Sequence, residues 1–329
     1  MRDAAAFLRA AGFGAARLVP LPADASHRRY ARLLGGPRPA LLMDAPPPED
    51  VRPFLAVARH IAGIGLSAPE ILAADEAAGF LLIEDFGEAT HAALLDAGAE
   101  PLPLYLEAAE ALAALHAAAP PPFLPAWDAA AMARATAATF LDWWWPAAMG
   151  APPEAATRAA LEGAIRAMLA PFADLRGFVH RDYFPANLLR LPARRGPRRT
   201  GLIDFQDAGL GHPAYDLVSL VEDARRDVPA AVREAAIARY LAARGGIERE
   251  AFAAAMAASA AQRHLRVAAL WVRLARRDAK PRYLAHGPRC WRLLAAALAH
   301  PATRPLRDFL DAHVPPELRR NPLAVTEPA

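Results

Sequence analysis

Residues 178–189 constrain this chain more than any other stretch. They read Phe-Val-His-Arg-Asp-Tyr-Phe-Pro-Ala-Asn-Leu-Leu, so His180, Asp182 and Asn187 share one loop. Downstream, Gly201-Leu202-Ile203-Asp204-Phe205 is an apolar run that ends in a second acid. Residues 177–179 read as a short strand, 187–191 as another, and 200–203 as its return. The segment between the last two, 192–199, is rich in Gly, Pro and Arg and reads as a turn. In an antiparallel hairpin the first residue of one strand lies beside the last residue of its partner. Asn187 and Asp204 are therefore expected to converge, with Asp182 just before them. Hard oxygen ligands at one point suit Mg²⁺ carrying bound phosphates. An acid on the preceding loop suits a base that receives a hydroxyl proton.

The rest of the chain is long enough to build on that hairpin. Its 329 residues allow two lobes and a sizeable core, and 55% hydrophobic residues exclude a disordered protein. The formal net charge is only +3. The tightest basic run, around Arg194, Arg195, Arg198 and Arg199, is short, and nothing resembles a tract that tracks nucleic acid. A single cysteine, Cys290, excludes a disulfide framework within the chain and favours a reducing compartment. No signal-peptide pattern and no apolar run of membrane-spanning length stand out. A cytoplasmic protein without a membrane partner is expected. The oligomeric state is not legible.

Taken in order, residues 4–13 suit a short helix, and 17–21, 28–34 and 39–43 suit strands. Prolines and carboxylates at 46–50 open a helix that runs to Ala62 and stops at Gly63. Residues 70–73 and 80–83 are further strands. Beyond 88 the periodicity turns helical: 102–117, 129–144 and 153–169, then helices from Ala214, Pro229, Glu248 and Pro288. The segment after Pro315 reads as loose. The expected fold is α+β. A small antiparallel-sheet lobe (1–85) binds nucleotide, and a mainly helical lobe (86–329) carries catalysis and the acceptor. The hinge lies near 84–88.

Other features have two readings. Asp85-Phe86-Gly87 spells a motif that kinases carry downstream of His-Arg-Asp, but here it lies upstream. It is better read as the hinge, with Glu84 to Phe86 offering backbone to an adenine. Asp216, at a helix start, suits a cap or a brace beneath the catalytic loop. His180 and Arg181 suit shaping that loop. Residues 140–145 combine Asp142 with three tryptophans, a pattern for a core or for a sugar face. Gln206 and Asp207, next to Asp204, are nearer candidates for acceptor contacts. Arg263, Arg266 and Arg273 share one helix face, suited to solvent or to an acidic acceptor.

At these residues the chain resembles the aminoglycoside phosphotransferase and choline kinase-like family, a two-lobe protein-kinase-like fold. The motifs that carry the resemblance are residues 65–72, 80–85, 180–187, Ile203-Asp204-Phe205 and Pro213-Ala214-Tyr215-Asp216. Further matches at 24–30, 42–47, 140–143, 203–208, 262–265 and 277–284 are similar to the family's amino-sugar kinases of cell-wall recycling. The resemblance implies ATP-dependent phosphorylation of an amino sugar's anomeric hydroxyl, with Asp182 as base and Asn187 and Asp204 on Mg²⁺. It also implies that the turn of Asp24, Ala25, Ser26, Arg28 and Arg29 covers the ATP phosphates. Another acceptor (an aminoglycoside, choline or homoserine) and a non-catalytic nucleotide-binding protein stay open at this point. One departure stands out. Kinases place a Lys on the third strand to hold the phosphates, but Lys280 is the only lysine in this chain. An arginine among Arg28, Arg29 and Arg32 is expected to substitute.

Overall fold

The computed structural model describes residues 1–22 and 28–323. Asp24, Ala25 and Ser26 lie outside the described residues. The chain opens with α1 (Ala5–Ala10), β1 (Arg17–Pro20), β2 (Arg29–Leu34), β3 (Ala40–Asp44), α2 (Arg52–Gly63), β4 (Ile71–Asp75) and β5 (Phe80–Glu84). The five strands form one antiparallel sheet in the order β1-β2-β3-β5-β4. Alternation decides its faces. Leu33, Leu42, Phe80 and Leu82 point to one side and join Ala4, Leu8 and Phe13 from the α1 region in a buried cluster. Helices α3 (His91–Asp96) and α4 (Pro101–Ala117) follow. Thr90 caps α3 by accepting a hydrogen bond from the Ala93 N–H at 3.0 Å.

The remaining elements are α5 (Ala129–Thr139), a π-helical turn (Phe140–Trp144), α6 (Trp145–Met149), α7 (Ala155–Leu169), β6 (Gly177–Val179), β7 (Leu188–Arg190), β8 (Thr200–Leu202) and β9 (Gly209–Gly211). Then come α8 (Ala214–Val221), α9 (Ala230–Arg244), α10 (Arg249–Arg277), α11 (Gly287–Leu298) and α12 (Arg304–His313). The antiparallel-sheet start and mainly helical remainder are the α+β architecture read from the sequence.

Two compact units divide the chain: residues 1–111 with 185–207, and residues 112–184 with 208–329. The first unit thus runs on to residue 111 and takes in a separate stretch of chain. The cause is the β7–β8 hairpin. Leu202 N–H donates to the Ser67 carbonyl at 2.7 Å, and the Ser67 hydroxyl donates to the Arg198 carbonyl at 2.7 Å. Arg190 N–H donates to the Ala89 carbonyl at 2.9 Å. Backbone pairing of this kind is satisfied only with the hairpin in place. Gly201 is required here, because a Cβ would stand 2.8 Å from the Phe86 ring.

In the second unit, α10 is the central element and packs against α5, α8 and α11. Its start is capped by Glu248, which accepts from Ala251 N–H at 2.9 Å. Gln262 is buried and donates to the Met132 carbonyl at 3.1 Å and the Thr136 hydroxyl at 2.8 Å. The segment after Pro315 is not loose as far as Leu323. Trp144 Nε1 donates to the Arg320 carbonyl at 2.9 Å, and Asn321 donates to the Leu284 carbonyl at 2.7 Å. Those side-chain contacts come from far along the chain, so composition alone misses them. No helix among the described residues is long and apolar enough to cross a membrane.

Candidate active site

In the first unit the hairpin brings the two expected metal ligands together. The register pairs Leu188 with Leu202, Leu189 with Gly201 and Arg190 with Thr200. Ile203 N–H donates to the Asn187 carbonyl at 3.2 Å. Asn187 lies one residue before β7, at the end of a 3₁₀ turn, rather than inside the strand. Asp204 lies just beyond β8 with φ of 61°, a left-handed conformation that Asp tolerates. Asn187 Nδ2 meets Asp204 Oδ2 at 3.4 Å, and Gln206 Nε2 donates to Asp204 Oδ1 at 2.9 Å. Asp204 is exposed, as is Asp207. Turned end for end, the Asn187 amide would present its oxygen beside the carboxylate. That oxygen pair fits Mg²⁺, which is commonly held by one or two protein ligands with phosphates and waters completing the shell. Phe205, the residue after Asp204, packs its ring on Phe54 of α2 at 4.9 Å.

The three candidate arginines separate on β2. Arg29 alternates with buried Ala31 and Leu33, while Arg28, Tyr30 and Arg32 take the other face. Arg32 is held by Asp85 at 2.5 Å and by Glu88. Arg28 pairs with Glu49 at 3.3 Å, and both are largely buried. Burial pushes the Tyr30 phenol up, Arg28 opposes it, and Asp204 and Glu49 add to it. Arg28, Tyr30, Glu49 and Asp204 therefore share one electrostatic neighbourhood. Position 42 of β3 and its neighbour 43 are fully buried Leu and Met. Glu49 was visible in the sequence only as a helix-opening acid, since nothing local links it to Arg28.

The segment 84–88 is tied down by its side chains. Glu84 pairs with Arg194 at 2.5 Å, and the Arg194 guanidinium lies over the Phe86 ring at 5.0 Å. Asp85 holds Arg32 and accepts from Gly87 N–H at 2.8 Å.

In the second unit, Asp216 is fully buried near the start of α8. Its carboxylate accepts from His180 N–H at 2.6 Å and Arg181 N–H at 2.9 Å. His116 Nε2 lies 3.3 Å from the same carboxylate, and His116 Nδ1 lies 2.8 Å from the Tyr240 hydroxyl. Burial lowers the His116 pKa against the opposing pull of Asp216. Arg181, immediately before Asp182, has φ of 74°. Such a conformation costs on the order of 1–3 kcal/mol in a residue with a Cβ. Two further contacts hold it: Arg263 Nη1 donates to the Arg181 carbonyl at 3.1 Å, and the Arg181 guanidinium lies 4.1 Å over the Trp127 ring. His180 is buried, with its ring edge-on to Tyr183 at 5.6 Å. Arg263 is thus 2% exposed rather than part of a solvated face.

Asp142 is elsewhere in its contacts. It is exposed on the π-helical turn and pairs with Arg158 of α7. Of its neighbours, Trp144 and Trp145 belong to the core. Trp127, under the Arg181 guanidinium, and Tyr215, which accepts from Arg263 and Arg266, had no spacing signal that tied them to the loop.

In the second unit a buried acid grips the backbone before Asp182, and in the first an Asn–Asp pair stands at the mouth of a hairpin. Residues 17–253 match the model of the phosphotransferase enzyme family, and the chain belongs to that family. Among curated proteins, the N-acetylmuramate/N-acetylglucosamine kinase of Caulobacter vibrioides is 39% identical over 96% of this chain and 97% of its own length. The protein of that name from Pseudomonas aeruginosa is 39% identical over 86% of this chain and 84% of its own. A solved choline/ethanolamine kinase family protein from Mesorhizobium loti superposes with a TM-score of 0.60 at 17% identity, over 90% of this chain and 92% of its own. That last likeness is one of kinase-like fold alone.

Proposed function

We propose that this chain transfers the γ-phosphoryl group of ATP to the anomeric hydroxyl of N-acetylmuramate and N-acetylglucosamine, in the cytoplasm, as a step of peptidoglycan recycling. The observation that carries the reading is near end-to-end similarity to a kinase of that name, joined to Asp182, Asn187 and Asp204 in the motif positions. Asp182 orients the sugar hydroxyl and receives its proton as the phosphoryl group moves. Asn187 and Asp204 would hold Mg²⁺, which when bound offsets the negative charge of the phosphates. Gln206, hydrogen-bonded to Asp204, keeps that carboxylate in one orientation. Asp216 acts through the backbone of the loop and touches no reactant. The hinge at 84–88 and the lobe roles assigned to either side of it belong to this proposal too.

Arg28 takes the phosphate-gripping role that a strand lysine has in other kinases, with Glu49 holding it. A guanidinium is always charged and offers several donors to a phosphate. Arg28→Ala is expected to raise the KM for ATP about tenfold or more, the scale of one lost charge-assisted hydrogen bond, with the KM for sugar unchanged. Arg29→Ala, on the opposite strand face, is expected to leave both constants near the wild-type values. Steady-state kinetics with ATP varied at saturating sugar checks this. Equal effects of the two variants would remove Arg28 from the role.

The acceptor itself is tested by ADP release with N-acetylmuramate, N-acetylglucosamine, choline and a kanamycin-type aminoglycoside. Turnover on the two amino sugars and none on the others is expected. Absence of turnover on both amino sugars would overturn the substrate assignment and leave the phosphotransferase.

A further inference from the structure

Arg263, Arg266 and Arg273 lie on one face of α10, at spacings of three and seven. Their surroundings differ. Arg263 is spent inside the protein, on the Arg181 carbonyl and on the Tyr215 hydroxyl at 3.3 Å. Arg266 is only half-buried. Its Nη2 donates to the same Tyr215 hydroxyl at 3.3 Å, and its guanidinium stands 6.0 Å from the Trp127 ring. Its Nε is buried with no hydrogen-bond partner among the described residues. No carboxylate among the described residues pairs with it. Arg181 stacks on the other end of this group, over Trp127. Three guanidiniums therefore gather on one phenol and one indole.

The charge balance is visible in the neighbours. The Tyr215 hydroxyl is held below its ordinary range: burial pushes it up, but Arg266 and then Arg263 outweigh that, while Asp182 opposes them. Half-buried Arg273 is pushed down, first by burial and then by Arg277, with Asp278 opposing and Arg266 adding a smaller push. A partly desolvated cation without an ionised partner is unfavourable, and a bound anion relieves it. Arg263 shares the Tyr215 hydroxyl with Arg266 and also holds the Arg181 carbonyl, so that anion would sit beside Asp182, the next residue.

We infer that Arg266 reads a carboxylate on the acceptor, a specificity contact separate from the phosphoryl-transfer residues. The inference rests on the amino-sugar reading above. Of the two sugars, N-acetylmuramate carries a carboxylate on its lactyl ether and N-acetylglucosamine does not. Arg266 thus favours the acidic sugar, while Asp182 serves both.

The test is steady-state kinetics of wild type, Arg266→Gln and Arg266→Lys with each sugar, plus wild type with the N-acetylmuramate methyl ester. Arg266→Gln is expected to raise the KM for N-acetylmuramate at least tenfold with kcat kept, and to leave N-acetylglucosamine within about twofold, the usual scale of one buried charge-assisted contact. Arg266→Lys recovers part of the loss. On the wild-type enzyme the methyl ester behaves like N-acetylglucosamine, a comparison that does not depend on any variant folding. Calorimetric titration of N-acetylmuramate without nucleotide shows the same weakening in Arg266→Gln. Equal losses on both sugars, a rise in the KM for ATP instead, or an ester as good as the acid would overturn the inference. Turnover of wild type on neither sugar would overturn the amino-sugar reading first, and the inference with it.

Discussion

Asp182→Asn is expected to lower kcat by about 10²–10⁴-fold, the usual contribution of a positioned base, while ATP still binds. The substitution keeps the shape of the side chain and removes its ability to take a proton. It leaves the Asp216 grip on His180 and Arg181 untouched, because that grip is on backbone N–H groups. It also leaves the Asn187–Asp204 pair intact. Asp182 supports the charge of Arg263 as well, although burial is the largest influence there. A thermal melt therefore accompanies the kinetics. ADP release and calorimetric titration of the nucleotide measure the two halves of the prediction. Turnover near the wild-type rate would mean that Asp182 is not the base, and lost nucleotide binding would mean that its part is structural.

Asp216→Ala is expected to cost about 3 kcal/mol of stability, and the activity loss should fall on kcat more than on KM. The carboxylate is fully buried and accepts from two backbone N–H groups. Removing one partner from such a pair leaves buried donors unsatisfied, at about 1–3 kcal/mol each. His116 loses its carboxylate neighbour at the same time. The backbone at Arg181 is in a conformation that relaxes unless it is held. Once it relaxes, Asp182 no longer keeps one orientation, so the bound complex forms but turns over slowly. Urea unfolding gives the first number, and the split between kcat and KM gives the second. Asp216→Asn, which keeps one acceptor, should lie between wild type and Asp216→Ala. A variant as stable as wild type with a changed KM for ATP alone would contradict the bracing role.

Much of the hairpin was legible because its logic is local. Asn187 and Asp204 are seventeen residues apart, yet a turn rich in Gly and Pro and two short apolar runs suffice to place them side by side. The sheet was equally readable, since polar and apolar residues alternate along β2 and short apolar runs mark β3 and β5. Strand β9 escaped notice. Gly209-Leu210-Gly211 has one side chain to pattern; its pairing with β6 is made by backbone, and the Trp127 backbone N–H also donates to the Leu210 carbonyl at 2.8 Å. The contacts of Asp85-Phe86-Gly87 lay beyond local reading, because Asp85 meets Arg32 and Phe86 meets Arg194 across long chain separations.

What the sequence determined by itself was the family, the α+β architecture and the residue types available for phosphoryl transfer, because spacing along a loop or hairpin is a local property. It also excluded a strand lysine, by composition alone. The tertiary structure decided what each cation meets. Arg28 is paired with Glu49, and Arg32 with Asp85. Arg263 was drawn inside to hold a loop 82 residues away, and no carboxylate among the described residues pairs with Arg266. A guanidinium's role depends on which charges and rings approach it across long chain separations, and no periodicity encodes that.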